Sequence, residues 1–352
     1  VVPQLARQLG YSLLVLWGVI TLVFLLFHVL PADPARLTMG QRTDLSSLQN
    51  VRKEMHLDQP LYKRYLLYLN DIAPLSLYPH TPDAQKQYNY ISLLPLPAHH
   101  CLCIKWPYLG RSYRTKRLVS QVLADALPGT VVLALAAMAI ASVLGILLGI
   151  LAATHKNTWV DNATISFSVL GISLPSFFSA LLLSFCFAYL LQPLTGLNMT
   201  GSLFEYDAFT GKHLVLKNLL LPAIALGMRP LAIIAQLTRS AMLDVLSQDY
   251  IRTAYAKGLS RHRVIFKHAL PNALNPVITT ISGWLAELLA GSFFVEYIFG
   301  WKGVGRITVD ALDKFDFPLV MGCIILTALI FIVINSITDL LYRILDPRVA
   351  VN

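Results

Sequence analysis

The stretch Tyr250 to Pro276, YIRTAYAKGLSRHRVIFKHALPNALNP, decides how this chain is read. It is basic and polar, and apolar stretches flank it. From Arg239 to Lys267 the chain carries Arg239, Arg252, Lys257, Arg261, Arg263 and Lys267 against only Asp244 and Asp249. Short loops rich in Lys and Arg stay on the cytoplasmic side of a membrane, so this is expected to be an inner loop of a membrane protein. Within it Thr253, Ala254, Ala256 and Gly258 leave one side of a short helix nearly bare, open to close approach by another protein's surface. Gly258 offers the helix a C-terminal stop. The alternative is a basic loop held by anionic lipid head groups.

The rest of the composition agrees with a membrane setting. Of 352 residues, 56% are apolar and only 13% charged, against about a quarter charged in soluble domains. The net charge of +9 does not point to nucleic acid, because the basic residues sit in loops beside apolar stretches and form no DNA-reading element. Lipid and partner subunits account for it better. The four cysteines, Cys101, Cys103, Cys186 and Cys323, form no paired framework, and the last two lie in apolar stretches.

Working outward, six uncharged or nearly uncharged stretches are long enough to span. Arg7 precedes a stretch from Gln8 to Ala32 too long for a signal-peptide core and without a clear cleavage site; the first span is expected at Leu9 to Leu30. Span two is Ala126 to Thr154, where Ala137, Ala141, Gly145, Gly149 and Ala153 form a flat stripe for close helix packing. Span three is Ala163 to Leu191, with a kink expected at Pro175. Span four, Asn218 to Thr238, carries Arg229, and span five, Pro271 to Val295, carries Glu287. Charges at that depth are costly, about 3 kcal/mol or more, unless they face protein or water. Span six is Phe317 to Thr338. Six spans place both termini inside. The fold class is therefore all-α polytopic, with domains expected at 1–30, 31–117, 118–345 (coupling loop 239–270) and a tail at 346–352.

Residues 31–117 form the longest polar region. Loops longer than about 60 residues escape the charge rule, so its basic residues are compatible with an outer location. Helical spacing predicts small helices at Asp44 to Leu57 and Leu61 to Leu69. Residues 74–107 are rich in Pro, Tyr and His without a clear period, and read as a contact surface, with disorder as the competing reading. His99, His100, Cys101 and Cys103 are candidate soft-metal ligands, but adjacent residues rarely converge on one ion, so ordinary loop residues are the default. Glu296 to Gly305 is glycine-rich and re-entrant in character.

No G-x-x-x-x-G-K-[ST], HExxH, G-x-S-x-G or CxxC pattern occurs. A membrane enzyme would need polar residues clustered at one depth, and only Arg229 and Glu287 qualify. A channel or secondary transporter would show broken helices or inverted repeats, and neither is evident in the sequence.

Arg252, Thr253 and Ala254, with Gly258 and the following Ala269-Leu270-Pro271 and Pro276, resemble the EAA loop of ABC-importer permeases in their dipeptide/oligopeptide/nickel branch, although the motif's Glu is absent. MHLDQPLYKRYLLYL, Met55 to Leu69, is similar to the branch's L-D-Q-P-L…R-Y segment, and Leu109-Gly110-Arg111-Ser112 to its L-G-x-S. Glu296, Phe299, Gly303 and Gly305 fit E-x-x-F-x-x-P-G-x-G, with Lys302 in place of proline. The resemblance implies a B-type transmembrane subunit in a bacterial inner membrane. It further implies a heterodimer with a sister permease, two cytoplasmic ATPases that bind ATP and Mg, and an extracytoplasmic solute-binding protein. This chain itself would bind no cofactor. Tyr250, Arg252, Thr253, Ala254, Ala256, Lys257, Gly258 and Leu259 would form the coupling helix, between spans four and five. The substrate would be a di- or oligopeptide, or nickel in the alternative reading. Residues 74–107 would be an insertion relative to the family's usually shorter loop. Arg229 and Glu287 would either satisfy each other or neighbouring carbonyls, or line the pathway.

Overall fold

The structure is a computed structural model that describes residues 2–29, 58–97, 100–207 and 211–345. The helix expected at 44–57, the tail and His99 lie outside the described residues. The chain divides into two compact units, Val1–Asp125 with Asp310–Ala328, and Ala126–Val309 with Leu329–Asn352.

In the first unit, helix α1 (Val2–Val29) buries Ile20, Val23 and Phe24. Phe24 meets Tyr65 and Tyr68 of α2 (Leu61–Ile72) at ring distances of 5.2 and 5.5 Å. Those tyrosines are three apart and so share one face of a helix. The next segment is built mainly on strands. Strands β1 (Leu75–Pro79), β2 (Ile91–Leu96) and β3 (His100–Ile104) form an antiparallel sheet ordered β1-β3-β2, with α3 (Pro82–Tyr88) joining β1 to β2. The period is two: Ser76, Tyr78, Cys101 and Cys103 are buried while Leu75, Leu77 and Ile104 are exposed. Thr81 caps α3, its Oγ1 accepting from the Ala84 amide at 3.4 Å. A second antiparallel pair joins β4 (Phe204–Asp207) to β5 (Gly211–Leu214) in the other unit. The all-α expectation thus fails at 75–79, 91–96, 100–104, 204–207 and 211–214, where alternation over four to six residues is too short to stand out.

The second unit is helical at its centre. Helices α4 (Val119–Thr154) and α7 (Lys217–Leu246) flank α5 (Trp159–Ser173) and α6 (Ser176–Leu183), the latter continuing as a π-helical stretch, Ser184–Leu190. Then come α8 (Asp249–Ala256), α9 (Leu270–Gly291) and α10 (Phe293–Ile298), followed by α11 (Val304–Asp313) and α12 (Phe317–Leu345), each of which belongs in part to the first unit. The small-residue stripe of α4 packs on α7 backbone to backbone. A Cβ on Gly149 would stand 2.6 Å from the Ala235 carbonyl oxygen and 2.5 Å from Thr238 Cβ. A Gly149→Leu variant should therefore force the helices apart and lower the Tm of the purified protein in detergent, since overpacking costs about 1–3 kcal/mol or more. Gly10→Leu, where nothing lies within 4 Å, should leave Tm unchanged; equal effects of the two would disprove the close packing.

Among the described residues, five helices are long and apolar enough to cross a membrane. A sixth crossing would be α5 and α6 together, but they are bent by 109°. Pro175 does more than kink this segment. Leu174 is extended (φ −80°, ψ 127°), as a residue before proline prefers, and the helix restarts behind Pro175 in a new direction. The 15 residues of α5 reach only about 22 Å, short of a hydrocarbon core of roughly 30 Å. Beyond that proline, no residue pattern in the stretch marks a broken helix.

Candidate functional site

The basic stretch folds as expected at its start and differently on one face. Helix α8 ends in a Schellman arrangement: the Gly258 amide donates to the Tyr255 carbonyl at 2.9 Å and the Leu259 amide to Ala254 at 3.3 Å. Gly258 has φ +78° with open space around an added Cβ, so its glycine is required by backbone conformation and not by crowding. Ile251 and Ala254 are buried. They pack with Ile150 and Ala153 of α4, Met242 of α7, and Val264, Ile265 and Ala269. Tyr250 Oη accepts from Asn272 Nδ2 of α9 at 3.1 Å, and Arg261 donates to the Thr154 carbonyl at 2.7 Å. The helix is thus seated on the ends of α4, α7 and α9.

Ala254 therefore does not belong to an outward small-residue face. It fills the seat, where its small size lets the helix settle. The face turned away holds Tyr250, Arg252, Thr253, Tyr255, Ala256, Lys257 and Gly258, all exposed, with Leu259 half-buried. Arg261, Arg263 and Lys267 are exposed beside it, giving a positively charged surface with Ala256 and Gly258 as its low points.

Close to this end of α7 lies an ion pair that the sequence reading did not single out. Arg239 grips Asp161 of α5 with two nitrogens, Nε to Oδ1 and Nη2 to Oδ2, the latter at 2.7 Å. Asp161 also accepts the Asn157 amide at 3.0 Å. The aspartate side chain is 1% exposed and the arginine 21%. Their only sequence signal is that charges of opposite sign stand beside two apolar stretches, Asp161 before Ala163 and Arg239 after Thr238.

Arg229 and Glu287 do not satisfy each other. Among the described residues no ion pair joins them, and both are exposed on the surface of this single chain. The Arg229 guanidinium lies 5.7 Å over the Trp284 ring of α9, one helical turn before Glu287.

The glycine-rich turn after α9 is organised around Glu296, which is fully buried. Its Oε1 accepts from Thr130 Oγ1 at 2.8 Å and Ser292 Oγ at 2.5 Å, and its Oε2 from the Arg306 amide at 3.2 Å. Burial pushes the carboxyl up, against the hydroxyls and the Arg306 and Gly305 amides that pull it down. Thr130 also accepts the Val304 amide at 2.8 Å, so α4 and the start of α11 are tied to one carboxylate. A Cβ on Gly305 would meet Phe293 Cα at 2.6 Å, which is why this turn needs glycine. Phe299 and Trp301 are buried beneath it, and Trp301 Nε1 donates to the Gly129 carbonyl at 2.9 Å. Lys302, standing where the resembled pattern has proline, is exposed and leaves the turn intact.

Comparison with known proteins bears directly on this arrangement. The family described as binding-protein-dependent transport system inner membrane component matches residues 145–351, and its N-terminal companion matches residues 3–82. The chain belongs to this family. The di/tripeptide transport system permease protein DppB of Pseudomonas aeruginosa (strain UCBPP-PA14) is 35% identical over 98% of this chain and 98% of its own length. The dipeptide transport system permease protein DppB of Alkalihalophilus pseudofirmus is 33% identical over 97% and 98%. The probable D,D-dipeptide transport system permease protein DdpB of Escherichia coli (strain K12) is 34% identical over 98% and 97%. The chain is thus an ABC-importer permease subunit and a multi-pass protein of the bacterial inner membrane.

In this permease the basic loop and the Glu296 turn both fall within the matched 145–351. Residues 83–144, which include β2 and β3, fall between the two matched stretches. Cys101 and Cys103 are buried in one cluster with Tyr78, Ala84 and Tyr90. His100 begins β3. No cluster of three or more metal-binding side chains is found among the described residues.

Proposed function

We propose that this chain imports short peptides as one of two permeases in an ATP-driven complex. Its relatedness along nearly its whole length to three permeases whose names specify di- and tripeptides carries the reading. The partners are a sister permease, two cytoplasmic ATPases that bind ATP and Mg, and an extracytoplasmic binding protein that delivers the peptide. Both termini and the loop 239–270 lie in the cytoplasm, and residues 31–117 lie outside. A charge exposed at span depth must find water or a partner and not lipid. Arg229 and Glu287 therefore face the pathway between the two permeases, where Arg229 meets a peptide carboxylate and Glu287 a peptide amine. The apolar outer face of the 75–104 sheet, with Leu75, Leu77 and Ile91 exposed, is a contact surface for the binding protein. Uptake of labelled dipeptide, tripeptide and nickel by cells dependent on the whole complex tests the substrate. Nickel uptake without peptide uptake would overturn it.

The exposed side of α8 docks on an ATPase. Ala256→Trp should leave the chain in the membrane at normal levels while the ATPases no longer co-purify and uptake is lost. Ala254→Trp should instead lower the amount of folded permease, because Ala254 is buried in the seat. Normal uptake by the Ala256 variant would remove this face from the coupling surface.

A further inference from the structure

Two thiols in the sheet are placed as partners. Cys101 and Cys103 alternate with Leu102 on β3 and so share one face, and both are completely buried. Their sulfurs are 2.7 Å apart, closer than unbonded sulfurs rest and only about 0.7 Å beyond a disulfide bond. The sheet has a local irregularity on β2, beside the pair, while β3 itself keeps an unbroken register with β1. The register of β2 shifts between Ser92, opposite Cys103, and Leu94, opposite Leu102. Such a bulge bends the strand that carries it, so β2 is distorted where it faces the two cysteines.

We infer that Cys101 and Cys103 close a disulfide within β3 as residues 75–104 fold, a modification site in the segment that the proposed function places outside the cell membrane. The inference rests on that placement, because dithiols there meet an oxidising compartment. The reaction is thiol–disulfide exchange with a disulfide-bearing protein oxidant. The first thiol loses its proton and attacks a sulfur of the oxidant, giving a mixed disulfide. The second loses its proton and displaces the oxidant's sulfur. The bond Cys101 Sγ–Cys103 Sγ forms, the oxidant's disulfide breaks, and the oxidant leaves as a dithiol carrying both protons and the electron pair. Exchange must precede packing of the sheet. Once folded, both sulfurs are out of reach, and burial together with the neighbouring Cys101 thiol pushes Cys103 up to about 12, where almost no thiolate exists at neutral pH. The same shelter protects the finished bond from reductants.

The test uses the full chain in cells. Cells are quenched in acid, the protein is denatured and alkylated with iodoacetamide, then reduced and alkylated with N-ethylmaleimide. Trypsin releases residues 87–105 with both cysteines. The expected result is maleimide on Cys101 and Cys103 in most copies, an unreduced peptide lighter by two hydrogens, and iodoacetamide on Cys186 and Cys323. Iodoacetamide on Cys101 and Cys103 before reduction, or a bond from either to another protein, would overturn the inference. Sidedness is read separately with Lys86→Cys in a Cys101→Ala, Cys103→Ala background, using a maleimide that does not cross membranes. Labelling of intact cells together with free native thiols refutes the disulfide alone. Labelling only after permeabilisation refutes the topology.

Discussion

A Glu296→Ala permease is expected to disappear from the membrane. The carboxylate is fully buried and is the acceptor for Thr130, Ser292 and the Arg306 amide. Removing it strands those donors away from water, and each buried group left without a partner costs about 1–3 kcal/mol. A chain with a folding margin of about 5–15 kcal/mol cannot absorb several such losses at one turn. The turn also sets the start of α11, so the damage would not stay local. Thr130→Val should be milder, because it removes one hydroxyl that bridges Glu296 and the Val304 amide. The measurement is the amount of full-length protein in the membrane fraction, with the Tm of whatever survives in detergent. If Glu296→Ala accumulates and melts like the parent, the carboxylate does not hold the turn.

How much of this was legible in the sequence follows from how far apart the determining residues lie. Five of the six expected spans match helices long and apolar enough to cross, because nearly uncharged stretches of span length need no partner to be recognised; the third breaks at Pro175. The seat of α8 was half visible: Gly258 announces its own backbone conformation, but whether Ala254 looks in or out depends on Met242 and Val264, which no local pattern specifies. The strand at 100–104 reads by default as loop residues, with metal ligation as the alternative, and its strand character is missed. In HCLCI the same letters obey a two-residue alternation, and the inward positions happen to be cysteine. Glu296 stood out through its resemblance to a family pattern, yet its acceptor role depends on Thr130, 166 residues earlier.

The Asp161–Arg239 pair lay furthest from what a sequence can show, since its members are 78 residues apart and neither sits in a motif. It also yields the sharper of the two stability tests. A buried, two-pronged ion pair adds little net stability over apolar residues of similar size, because desolvating two charges offsets their attraction; losing one partner, however, leaves a buried charge uncompensated and costs about 3–5 kcal/mol. Asp161→Leu and Arg239→Met are therefore each expected to cut the amount of folded permease severely, while the double variant recovers most of it. The recovered protein then separates stability from coupling. Arg239 lies one helical turn before Met242, which supports the α8 seat, and Asp161 holds α5 to that same end of α7. If the pair only joins these helices, the double variant should regain uptake along with its abundance. If its charges shape the surface that meets the ATPase, the double variant should be abundant and inactive. Single variants that accumulate like the parent would show that the pair is not buried in the assembled importer, and the argument from uncompensated charge would fall.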